Sequence, residues 1–213
     1  MIRRIQDVKS VIPMPKNEAI LLKLSSVILT REKQIPLQEE FTRYGEATNW
    51  VIKQILKRHL TKKTQMIESI QDEFSDQFDS RLSYLNDVIK TATSEITHHR
   101  KLAVTVRSMR DKTPYFKKGR AVFSQPIVKV GEKAIVLTLP DRENLPIPYD
   151  KFSRNKNAET LTTILRGEIG GADTIGGVPK NKRYSRVRLT WNNEGFVNID
   201  IRANLPIKKD SEF

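Results

Sequence analysis

Apolar residues in this chain recur with two different periods, and the switch between them limits the fold to a few arrangements. Through residues 31–112 they return every three or four positions, the spacing of a helical face. From residue 121 they alternate, as on strands with one buried side. Leu37, Phe41, Tyr44, Val51, Ile52, Ile55 and Leu56 line one face of a first helix, whose start is signalled by Thr30-Arg31-Glu32-Lys33. The opposite face carries Glu39, Glu40, Arg43, Glu46, Lys53 and Lys57. Trp50 lies beside the apolar stripe and reads as core rather than as a stacking surface. After a basic break at 58–64, Leu82, Leu85, Ile89, Ala92 and Ile96 keep a heptad-like spacing through a second long helix, expected to pack on the first. That helix ends amid His98, His99, Arg100, Lys101 and Arg107, cations that suit the negative end of a helix dipole as well as they suit phosphate.

The strand-forming part is split. Ala19-Ile20-Leu21-Leu22-Lys23-Leu24 precedes the helices and reads as a first strand. Beyond residue 121, Ile127, Val128 and Val130 lead through Gly131-Glu132-Lys133 into an apolar run from Ala134 to Leu139, a hairpin. Leu145-Pro146-Ile147-Pro148-Tyr149 reads as an edge strand, because its prolines cannot donate to a ladder. Ala158 to Leu165 fits a short helix, and Gly167 to Lys182 a loop. Val187, Leu189 and Trp191 alternate, Asn192-Asn193-Glu194-Gly195 turns, and Val197, Ile199 and Ile201 alternate again. The expected fold is α+β. A small β-barrel or strongly bent sheet is built from residues 18–30 and 113–206, a helical domain is inserted at 31–112, and 1–17 and 207–213 are tails.

Charge narrows the partner. The chain carries 38 Lys and Arg against 25 Asp and Glu, a net charge of +13, which favours a polyanion such as RNA or DNA. No apolar run approaches the ~20 residues of a membrane span, and Met1 to Asp7 lacks the apolar core of a secretory signal. A soluble, cytoplasmic protein without a membrane partner is expected. The absence of cysteine excludes disulfides, thiol nucleophiles and cysteine-held zinc or iron–sulfur clusters. His98 and His99 would point ~100° apart on a helix and make no two-ligand face. Asp72, Glu73, Asp76 and Asp79 read as a solvated helix face or linker. Gly170-Gly171 and Gly176-Gly177 lack the Gly-Lys-Ser/Thr of a phosphate-binding loop. No catalytic residue, metal site or cofactor is expected.

Where the two periods meet, Ser108 to Arg120 packs cations around adjacent aromatics. Arg107, Arg110, Lys112, Lys117, Lys118 and Arg120 are candidates to hold phosphates. Tyr115 and Phe116 either stack on bases or pack beneath the loop, and Phe116 is expected to be a buried anchor. The competing expectation is a solvated basic loop whose aromatics simply plug into the core.

Three segments carry a further likeness. Ala19 to Thr30 forms an opening strand that leads into a helix. Phe41-Thr42-Arg43-Tyr44-Gly45-Glu46-Ala47-Thr48-Asn49-Trp50-Val51 sets an aromatic, a Tyr, an Ala and an Asn before an apolar run. Thr113-Pro114-Tyr115-Phe116-Lys117-Lys118-Gly119-Arg120 places a proline-aromatic-Phe-Lys-Lys motif at the entry to the strands. Together, over roughly residues 18 to 205, they resemble the amino-terminal half of TnpB (OrfB) proteins, "transposase"-like RNA-guided nucleases of insertion sequences related to the type V CRISPR effectors. The resemblance implies an OB-like wedge barrel and a helical recognition domain. These would hold guide RNA and the RNA–DNA heteroduplex and read a short motif beside the target. In that family a RuvC-like nuclease follows, with three metal-binding acids and a four-cysteine zinc ribbon. This chain reaches Phe213 without them, so binding without cleavage is expected. Asn198-Ile199-Asp200-Ile201 is similar to the family's first nuclease motif, but Arg202 and Ala203 follow where a Gly belongs, and cleavage needs several converging carboxylates. Asp200 therefore reads as the polar face of the last hairpin. Two other expectations stay open: a non-catalytic component of a split nuclease whose catalytic half is encoded separately, and a helical protein-interaction module.

Overall fold

A computed structural model describes residues 17–166, 174–175, 178–179 and 184–206. Strand β1 (Asn17–Ser25) leads into three helices, α1 (Arg31–Lys57), α2 (Lys63–Gln77) and α3 (Leu82–Thr105). Strands β2 (Arg120–Phe123), β3 (Val128–Val130), β4 (Ala134–Thr138) and β5 (Asn144–Pro148) follow, then helices α4 (Lys151–Lys156) and α5 (Ala158–Arg166). The short pair β6 (Thr174–Ile175) and β7 (Val178–Pro179) precedes the final hairpin, β8 (Arg186–Trp191) and β9 (Val197–Pro206). Apart from β6 and β7, the segment expected as a loop at 167–182 lies outside the described residues, as do the two tails apart from Asn17.

Helix α1 begins where its sequence signal places it. Thr30 is extended, and its carbonyl accepts the amides of Lys33 and Gln34 at 2.9 and 3.0 Å. Its hydroxyl makes no cap; Gln34 instead reaches back to the Leu29 carbonyl at 2.6 Å. Glu40 departs from the expected polar face. Its position between Leu37 and Tyr44 turns it inward, where it is 2% exposed and pairs with Arg43 at 2.8 Å. The stretch before the second long helix is a helix in its own right. Met66, Ile70 and Phe74 recur every four residues along α2 and are buried, while Asp72, Glu73 and Asp76 stay on the solvated side. Asp79 does not. It is buried at the α2–α3 corner, bonded by the Arg81 guanidinium at 2.6 to 3.1 Å, and Arg81 also donates to the Thr138 carbonyl at 2.6 Å. Trp50 packs against Phe74 and Phe78 at 6.2 and 5.9 Å, as a core residue.

Strand β1 pairs antiparallel with β9 across the whole intervening chain, giving a four-stranded sheet in the order β1-β9-β8-β2. A second sheet runs β3-β4-β5, with the proline-bearing β5 on an edge as its sequence requires. The two sheets meet on one side through a Ser26–Tyr149 bridge, with Val27 donating to the Pro148 carbonyl at 3.1 Å and Asp150 to that of Ser25 at 2.8 Å. On the other side β2 runs into β3 without sharing a ladder, so the expected closed barrel is seen as two open antiparallel sheets. Helix α4 was not signalled by apolar periodicity; the Asp150 carboxylate caps it by accepting the Ser153 amide at 2.8 Å. One contiguous core joins the inner faces of the helices and both sheets. Its aromatic centre is Tyr44, with Phe123, Tyr84 and Phe116 at 5.1, 5.8 and 5.8 Å in edge-on contact. No helix among the described residues is long and apolar enough to cross a membrane.

Candidate nucleic-acid interface

The basic loop is held by α1, the first helix of the chain. Asn49 on α1 brackets Phe116 from both sides: its Oδ1 accepts the Phe116 amide at 2.8 Å, and its Nδ2 donates to the Phe116 carbonyl at 3.1 Å. The Phe116 ring is 1% exposed and lies against Tyr44, with the Arg120 guanidinium 4.5 Å from its centre. The loop packs closely over Gly45, where a Cβ would stand in van der Waals contact with Lys118 Cγ at 3.4 Å. Gly119 turns the chain into β2 with φ +84°, a left-handed conformation that favours glycine. The α1 motif and the proline-aromatic motif are thus two halves of one contact.

This anchoring divides the eight candidate residues. Phe116 is buried and positions the loop. Lys118 pairs with Glu46 at 3.1 Å, and Arg120 with Glu95 at 2.7 Å. Arg110 folds back on the end of α3, donating to the Ala103 carbonyl at 3.1 Å, a helix-end role that the sequence suggests for other cations. Arg107, in a single 3-10 turn after α3, and Lys112 and Lys117 are exposed and make no ion pair among the described residues. Tyr115, beside the buried Phe116, is 62% exposed. The loop therefore presents three free cations and one aromatic ring on a fixed base.

A second basic surface lies on the outer face of the four-stranded sheet. Val187 and Leu189 point into the core, so Arg186 and Arg188 between them face solvent. Pairing of β8 with β9 sets Arg186 directly opposite Arg202, and Arg188 opposite Asp200. On its other side Asp200 faces Lys23 of β1. The concavity around these residues measures about 300 Å³ and is lined by Ile20, Leu21, Arg186, Arg188, Asp200 and Arg202. Burial and the charges of Arg202 and Arg188 hold the Arg186 guanidinium below its ordinary range.

No protein-family model matches this chain, and no curated protein does.

The sheet surface was missed because its members stand in three separate stretches of sequence. The pattern Arg-Val-Arg-Leu did place both β8 arginines on one face, but only strand pairing brings Arg202 and Lys23 beside them. Asp200 is flanked in the ladder by Arg188 and Lys23 rather than by other acids. Among the described residues no group of three or more His, Asp or Glu is placed to hold a metal ion.

Proposed function

We propose that this chain is a nucleic-acid-binding protein that holds RNA or DNA without cutting it. The observation that carries this reading is the anchored loop. Phe116 and Asn49 fix the loop beside the exposed Tyr115 and Lys117, and Arg107, Lys112 and Lys117, on the segment that leads into and through it, are exposed and free of ion pairs among the described residues. Pre-positioned cations neutralise phosphates at little ordering cost, and an exposed ring beside them offers a stacking surface for an unpaired base. The likeness to TnpB proteins points the same way. In that reading the two antiparallel sheets correspond to the OB-like wedge domain and α1–α3 to the inserted recognition domain. The residues around Asp200 support binding without cleavage, because arginines and a lysine surround a lone carboxylate where metal-dependent hydrolysis needs several.

The test is titration of purified, nuclease-treated protein with duplex DNA and single-stranded RNA across a salt series. About five phosphate contacts give a log–log slope near −4 on duplex, shallower on single strands. Affinity that does not change with salt overturns the reading. Magnesium-dependent cleavage that disappears in Asp200→Ala overturns the non-cutting half of it.

A further inference from the structure

The outer sheet face holds charge in an arrangement the fold itself does not reward. Arg186 and Arg202 stand directly opposite on neighbouring strands, a placement in which like charges repel. Arg188 adds a third guanidinium one pair further along the same face. No carboxylate lies within ion-pairing distance of any of the three among the described residues, although Arg120, on β2 of the same sheet, has Glu95 at 2.7 Å. Three guanidinium groups around one carboxylate, Asp200, which bonds none of them, leave net positive charge that suits an anion with several oxygens, which their forked donors match two at a time.

The surroundings extend this into a path. Arg186 and Arg202 also line a second concavity of about 350 Å³, walled by Asp87, Lys90 and Thr91 of α3, where the mostly exposed Lys90 lies 4.0 Å from the buried Asp87 carboxylate. Lys90 opens onto a third, of about 470 Å³, which runs along α3 past His98 to Lys101. Lys101 lies eleven positions beyond Lys90, about 16 Å along the helix. Charge thus follows a line from the sheet to the helix, longer than one free phosphate occupies. The ring of Trp191 packs inward against Phe41, and no aromatic side chain faces outward from the described positions of β1, β9, β8 and β2. The face has guanidinium groups for phosphates and no ring for bases.

We propose that the outer face of this sheet, continued along α3, is a second nucleic-acid contact that grips the sugar–phosphate backbone and does not stack on bases. It rests on the nucleic-acid reading above and adds to the loop a site with a different task.

The experiment compares three variants and the wild-type chain by salt titration on duplexes of several sequences. Arg186→Gln/Arg188→Gln/Arg202→Gln changes three exposed residues and is expected to stay folded. It should flatten the duplex log–log salt slope by about 2 to 3 units, equally for every sequence. Arg107→Ala/Lys112→Ala/Lys117→Ala serves as the loop control. Asp200→Asn removes the acid that lines the sheet concavity and should tighten binding, steepening the slope by up to about one unit. Wild-type slope and affinity in the glutamine variant, with the loop variant impaired, overturn the sheet contact and leave the proposed function standing. Absence of any nucleic-acid binding by the wild-type chain overturns both, and so does binding only to vesicles of anionic phospholipid. If the glutamine variant fails to fold, Asp200→Asn decides: no gain in affinity overturns the sheet contact. Losses that differ strongly between sequences overturn its backbone character.

Discussion

The 113–120 loop and the outer face of the four-stranded sheet are both basic, but among the described residues only the first has cations paired with carboxylates. Two of the loop's three cations, Lys118 and Arg120, have carboxylates from α1 and α3 within 3.1 Å. On the sheet, Arg186, Arg188 and Arg202 have no such partner among the described residues, and Asp200 is the single acid between them and Lys23. Density of charge along the sequence is therefore a poor guide to charge available for a ligand. In the loop part of it orders the chain. On the sheet, pairing of distant strands collects what looks sparse in sequence.

If the loop is a structural joint first, breaking it should cost more than breaking anything on the sheet face. Phe116→Ala empties a fully buried site at the aromatic centre, and the fold should lose about 3–5 kcal/mol. Denaturant unfolding measures this, and a loss below about 1 kcal/mol would show that the loop does not depend on its ring. Asn49→Ala strips two hydrogen bonds from the Phe116 backbone and should cost about 1–3 kcal/mol, with the apolar core intact. Unchanged stability there, with Phe116→Ala severe, would mean that the ring alone fixes the loop.

The elements were legible where one periodic face decides burial. The stripes of α1 and α3, the terminal hairpin and the proline-marked edge strand β5 all stand where their patterns place them. What escaped depended on partners far away in sequence. Helix α2 buries only Met66, Ile70 and Phe74, too sparse a stripe to stand out between basic and acidic runs. Asp79 became a buried joint because Arg81 spans to the end of β4. Closure of the sheets depends on β2 and β3 sharing a ladder, which no local pattern reports and which they do not do. In the site, Phe116 was legible as an anchor, while the ion pairs of Lys118 and Arg120 and the sheet arginines were not.

A buried acid separates charge that helps the fold from charge that only fits it. Burial pushes the Glu40 carboxyl above its ordinary value near 4.5, while Tyr84 and Arg43 pull it back. Below that ordinary value Glu40 is protonated in both folded and unfolded chains, and its burial carries no charge penalty. As pH rises through the elevated folded value the unfolded chain ionises more readily, so stability falls. Glu40→Gln should therefore raise the melting temperature at neutral pH, with the difference shrinking to nothing as pH falls towards 4. A variant less stable than wild type at neutral pH would show that the ion pair with Arg43 outweighs burial, and that this acid belongs with the loop's structural charges.

The smallest effects test the comparison inside the loop itself, where Lys117 is free and its neighbour Lys118 is paired with Glu46 across half-exposed side chains. Exposed ion pairs contribute about 0–1 kcal/mol, so neither Lys117→Ala nor Lys118→Ala should move stability by more than about 0.5 kcal/mol. Their binding should differ. Losing a free phosphate contact at Lys117 flattens the duplex salt slope by about 0.9. Lys118→Ala should flatten it less, because a phosphate must first displace Glu46 from that ammonium. Glu46→Gln supplies the converse, releasing Lys118 and bringing its contribution up to that of Lys117. Equal slopes for the two lysine variants in a wild-type Glu46 background would mean that nucleic acid outcompetes the carboxylate. In that case a carboxylate within 3.1 Å would no longer mark a cation as spoken for, and the contrast between loop and sheet would narrow to Arg120 and Arg110.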